Sequence, residues 1–270
     1  MDSNPITYVV RACDPTSDKA WPRAVLFTDT QVIATDGKRL HIADWVPTHP
    51  LFEKPYALPM ERLKRLTDTV TAVRDSYGFK ESLDLAACFP PWQNIIRDLD
   101  HRDLFRTIPI RLSPDYLDLG HAQKLAAAMQ REVWQQELVA WKEGLALAKA
   151  KDAHTRRSNK RNEKSYREHN EKPTIANTKI YMCITVHAVT IGPAAEPTRT
   201  VLLCGPAWSA CGWPEQLAAV FKLRYVIDAC KDQSTVQFEA PRPRPAGEKL
   251  TDPMCIHTHR ARAYVMPCRF

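Results

Sequence analysis

The sequence predicts an α+β fold in which short helices lie on antiparallel sheets, arranged as two domains, 1–104 and 105–270. Three observations carry this. Strand-like apolar runs are grouped around a few short helical stretches. Asp36-Gly37, set between two such runs, is a strong hairpin signal, because tight hairpin turns need a positive φ that glycine tolerates. The second half of the chain then repeats the plan of the first.

In order along the chain, AVLFT, QVIAT and KRLHIAD, within 24–44, read as a three-stranded meander. After a loop through Pro47, Pro50 and Pro55, Pro59 stands where a helix could begin, and Leu63, Leu66 and Val70 recur at helical spacing. Arg62, Arg65 and Thr69 fall on a neighbouring face. Two extended runs are expected at 71–77 and 79–88, ending at the proline-marked corner FPPWQNI. In the second half, 105–112 alternates as a strand and a helical region runs from about 116 to 153. Strands are expected near 179–191 and 199–204, a short helix around 224–231, and three closing strands in TVQFEA, CIHTHR and AYVMPC. Pro241, Pro243 and Pro245 make a polyproline-prone connector before the last two. The Ala-rich stretch from His121 is the strongest helix by propensity; together with the tract after it, it forms an insertion of about 120–172.

Composition narrows the function. The 270 residues are 44% apolar and 26% charged, as in a globular chain, and no stretch approaches an apolar 20-residue span. The N-terminus lacks the basic region and cleavage site of a secretory signal, so a cytoplasmic location with reduced cysteines is expected, none of the eight forming a C-x-x-C pair. The eight glycines have neither Walker-loop nor dinucleotide spacing, and no H-E-x-x-H, G-x-S-x-G or kinase signature occurs. The usual catalytic and cofactor-binding motifs are absent, which leaves an enzyme only through an unfamiliar site. The net charge is +7, and between Lys149 and Lys172 nine Lys/Arg stand against four Asp/Glu. That tract reads either as a phosphate-contacting arm or as a solvated mixed-charge surface.

Four segments, in order, resemble the bacterial sliding clamp, the β processivity subunit of the replicative DNA polymerase. QVIATDGKRLHIAD resembles the family's T-D-G-H-R-L segment, and YALPMERLKRL its Pro-led strand-to-helix segment. CFPPWQNI is similar to its F-P-D-Y corner, and AYVMPCRF to its terminal V-M-P-M-R-L. FKLRYVIDAC resembles the family's last helix. The resemblance is to the second and third of the family's three domains, the N-terminus falling near the second domain's first helix. It implies a DNA clamp fold and a non-catalytic processivity factor. A two-domain chain is expected to need three copies to close a six-domain ring, and the compact form suggests a phage or mobile-element protein. The alternative is a non-encircling decoy or adaptor that keeps only the partner-binding pocket.

In the family, partners insert a short peptide with apolar side chains and a Gln between these two domains. The resembling positions are Thr35, Gly37, Lys38, Arg39 and Leu40 in the hairpin, Pro90 and Ile95 at the corner, and Tyr264, Val265, Met266, Pro267, Cys268, Arg269 and Phe270 at the chain end. Trp21 and Pro22 complete the set. Leu40, Ile95, Tyr264, Met266 and Pro267 would offer apolar walls, and Arg39 and Arg269 rim donors; the competing reading makes Leu40, Ile95 and Met266 plain core. Lys38, Cys268 and Phe270 depart from the family's His, Met and Leu. The implied partners are double-stranded DNA, held without sequence reading, a DNA polymerase and a clamp loader. Candidate DNA contacts are Arg62, Lys64 and Arg65, then Lys222 and Arg224, and Arg156, Arg157, Lys160 and Arg161 in the insertion. Two rival constellations are weaker: Cys255, His257 and His259 alternate as zinc ligands could but lack a fourth, and Asp98, Asp100, His101 and Asp103 fall in the interdomain linker.

Overall fold

The computed structural model describes residues 4–46, 55–63, 70–93, 96, 109–112, 119–154, 161–175, 179–184, 189–193, 201–204, 219–231, 233, 236–239 and 253–268. The expected meander is present: β1 (Ala24–Phe27), β2 (Gln31–Thr35) and β3 (Arg39–Asp44) pair antiparallel, with β4 (Tyr56–Pro59) on the outer side of β1. The turn between β2 and β3 is displaced by one residue from the Asp-Gly expectation. Thr35 faces Leu40, so Gly37 and Lys38 are its central pair, and Gly37 supplies the positive φ of 83°. Asp36 is instead the flanking brace: its Oδ1 accepts from the Lys38 and Arg39 amides at 2.8 and 3.0 Å. Asp side chains favour this local bond to backbone two residues on.

This part of the sheet is covered on both faces, which explains its unbroken apolar runs. Val25, Phe27, Val32 and Ala34 pack with Ile6, Tyr8 and Val9 of helix α1 (Pro5–Val10). Their sequence neighbours Ala24, Leu26 and Ile33 pack on the opposite face with Leu85 and Trp92. Each fully buried Val, Leu, Ile or Phe side chain among them contributes about 1.5–3 kcal/mol. Helix α2 (Met60–Leu63) follows β4 at the expected proline. The two runs read as extended are helices: α3 (Val70–Tyr77) and α4 (Phe79–Ala87). Burial of Val73 and, one helix on, of Ser82 and Leu85 follows a helical stride, and the intervening Gly78, at φ 110°, turns the chain between them. The period there is 3.6, not 2.

The second half supplies β5 (Pro109–Leu112), helices α5 (Leu119–His154) and α6 (Arg161–His169), then β6 (Tyr181–Ile184), β7 (Val189–Gly192), β8 (Val201–Cys204) and β9 (Ala219–Lys222). Helix α7 (Leu223–Cys230) and strands β10 (Val236–Glu239), β11 (Met254–His257) and β12 (Ala261–Val265) close it. Strand β9 was not legible as such, because its AVFK runs straight into α7. Asp98, Asp100, His101 and Asp103 and the proline connector lie outside the described residues.

Two sheets result: β4-β1-β2-β3-β12-β11-β10-β5 and β8-β7-β6-β9. The larger one crosses from the first half of the chain to the second through a single junction, β3 against β12, with Leu40 opposite Tyr264 and Arg39 opposite Val265. That junction brings the end of the chain to the Gly37 turn. No helix among the described residues is long and apolar enough to cross a membrane.

Candidate functional site

Beyond β12 the chain is laid against the β2–β3 turn. The Met266 amide donates to the Lys38 carbonyl at 2.9 Å, and the Cys268 amide to the Val220 carbonyl of β9 at 2.7 Å. Residues 266–268 are thereby fixed between the two halves of the molecule. Trp21, in a 3-10 turn Trp21–Arg23, stands over Gly37: a side-chain carbon added there would lie 3.5 Å from the indole. Its ring meets Phe89 edge-on at 6.4 Å, next to half-buried Pro90. Met266 keeps 37% of its surface open. Trp21, Gly37, Lys38, Pro90, Met266, Pro267 and Cys268 thus all reach the surface at one junction.

Beneath them lie the other expected residues. Thr35, Leu40, Tyr264 and Val265 are buried, as is Pro22, and Leu40 and Tyr264 belong to the core shared with Leu85 and Trp92. These residues support the surface and do not wall it. Thr35 spends its hydroxyl on the turn, donating to the Arg39 carbonyl at 2.7 Å and accepting from the Gly37 amide at 3.0 Å. Ile95, Arg269 and Phe270 lie outside the described residues.

Arg39 is not a rim donor. Only 6% exposed, its guanidinium donates to Asp36 at 3.2 Å and to Asp228 of α7 at 2.5 Å, and lies 4.4 Å above the Tyr225 ring. A buried guanidinium requires paired carboxylates, and these come from both halves of the chain. Tyr225, Asp228 and Phe89 are the residues that sequence reasoning missed. The signal was available: an arginine inside an apolar strand demands an acid, and Tyr225 and Asp228 stand three apart on one helix face. Burial pushes the Tyr225 phenol up, and the nearby Asp36 carboxylate adds to the rise.

Lys222 and Arg224 also belong to this neighbourhood. The Lys222 ammonium lies 5.2 Å from the centre of the Tyr225 ring, and Arg224 reaches Asp228 at 3.8 Å. Arg62, by contrast, is exposed on α2, which packs on β4 at the far edge of the large sheet. The structure does not bring these two groups of candidate DNA contacts together. Lys64 and Arg65 lie outside the described residues.

The insertion is a helical hairpin. Tyr166 of α6 packs against Gly144, where an added side-chain carbon would collide with its hydroxyl, and donates to the Trp141 carbonyl at 3.2 Å. Asp152 accepts from the Asn162 and Glu163 amides at 3.0 Å each, capping α6 from outside. The chain then returns along α5, where Trp141 and Trp134 donate to the Asn170 and Pro173 carbonyls. Several of its charges are paired within the hairpin: Arg167 with Glu163 at 3.0 Å, Lys164 with Glu168 at 3.8 Å and Lys149 with Glu163 at 3.9 Å. Arg161 is exposed, while Arg156, Arg157 and Lys160 lie outside the described residues. Among the described residues no three His, Cys, Asp or Glu cluster as metal ligands. Cys255 is buried opposite Tyr264, and His259 sits past the end of β11 in an exposed turn.

The architecture is that of bacterial DNA polymerase sliding clamps. The β subunit from the DNA polymerase of Streptococcus pyogenes matches with a TM-score of 0.52 at 11% identity, over 100% of this chain and 67% of that one. The Helicobacter pylori β clamp, solved in complex with diflunisal, matches with a TM-score of 0.51 at 12% identity, over 98% and 63%. The chain spans about two thirds of the length of the solved clamps it matches. No protein-family model and no curated protein sequence matches it.

Proposed function

We propose that this chain is a clamp-like replication factor that encircles duplex DNA as a homo-oligomer, three copies supplying six domains, and tethers a DNA polymerase. The tether is a short peptide of the polymerase, seated where the Trp21 turn, the Gly37 turn and residues 266–268 meet, and a clamp loader uses the same seat. One observation supports the reading: the bond from the Met266 amide to the Lys38 carbonyl sets residue 266 beside the β2–β3 turn, joining apolar surface from Trp21, Pro90 and Met266 where the two halves of the chain meet. Such junctions are where ligands preferentially bind, and aromatic rings with an adaptable Met are suited to anchoring apolar side chains. The protein works by holding its partners.

DNA is held weakly and without sequence reading, through Arg62, Lys64 and Arg65 and through Arg156, Arg157, Lys160 and Arg161 of the insertion. Non-specific contacts of this kind give a Kd of roughly 10⁻⁴–10⁻⁶ M at physiological salt, so residence on DNA has to come from closure around it. The test of the seat is deletion of Met266–Phe270, paired with the milder Met266→Ala. Fluorescence anisotropy with an apolar, Gln-containing peptide should show binding abolished by the first and weakened by the second, while thermal unfolding keeps a single transition. Unchanged affinity in the deletion would refute the assignment.

A further inference from the structure

We draw no further inference here: the strongest candidate, the cavity of about 170 Å³ walled by Asn4, Tyr8, Asp44, Gln233, His259 and Arg260 at the end of the β3–β12 junction away from the Gly37 turn, carries none, because its charged residues are exposed to solvent and nothing in the structure shows what fills it.

Discussion

Replacing Arg39 with methionine removes the charge that joins the two halves of the molecule at the seat while keeping most of the side-chain volume. Asp36 and Asp228, whose side chains are 7% and 23% exposed, would then face a site without its guanidinium. Breaking a buried pair by removing one partner costs about 3–5 kcal/mol, because the remaining charge is left desolvated. Two features of the structure place this case at the lower end. Arg224 still reaches Asp228 at 3.8 Å, and Asp36 keeps its bonds from the Lys38 and Arg39 amides. Loss of the stacking on Tyr225 adds about 1 kcal/mol. The expected total is about 4 kcal/mol, or a fall in melting temperature of roughly 8–16 °C for a chain of this size. Urea unfolding followed by tryptophan fluorescence measures it, and the double variant Arg39→Met, Asp228→Asn should recover about 1–2 kcal/mol by removing the stranded charge. A loss under 1 kcal/mol for Arg39→Met, with no recovery in the double variant, would refute the claim that this guanidinium braces the junction.

Gly37→Ala should cost about 1–2 kcal/mol through its positive φ alone, since the added carbon would meet Trp21 only at an ordinary 3.5 Å; Gly37→Asn should cost less, and equal stability of all three proteins in urea would contradict the turn geometry. The His41 imidazole, stacked on Tyr8 at 5.0 Å and completely buried, is pushed down to about 3 by desolvation, with the Arg39 charge assisting and the Tyr8 carbonyl opposing. The unfolded chain therefore takes up a proton below about pH 6.5 that the folded chain refuses. Stability is full above that value and falls by about 1.4 kcal/mol per unit as pH drops towards 3. His41→Gln cannot titrate and should flatten this acid limb; an unchanged limb in pH-dependent unfolding would place the titration elsewhere.

The strands of the first half were legible because turn chemistry and apolar runs agree there: Asp36 and Gly37 punctuate two stretches that need burial on both faces. Helix α3 was misread because its stretch mixes β-branched and polar positions, and α4 because Ser82, Leu83, Asp84 and Leu85 alternate polar and apolar as a strand does. The helical stride of Val73, Ser82 and Leu85 becomes decisive only when the layer they pack under is known. At the proposed seat, Trp21, Lys38, Pro90 and Met266 were named from the motif resemblance, and the structure gathers them near the β2–β3 turn. Arg39 was placed correctly in the chain but given the wrong task, because its partner Asp228 is distant in sequence and joins it only through the β3–β12 junction. The same distance hid Tyr225.

Encirclement is a topological property, and circular DNA, which has no ends, tests it. The protein should be mixed as free protomers with nicked plasmid circles, concentrated so that rings can assemble, and passed through a sizing column in 0.5 M salt. An encircling protein should co-elute with the circles and be released when a restriction enzyme opens them to freely ended linear DNA. Equal retention on circular and linear DNA, or none on either, would contradict encirclement and leave the chain as a non-encircling adaptor.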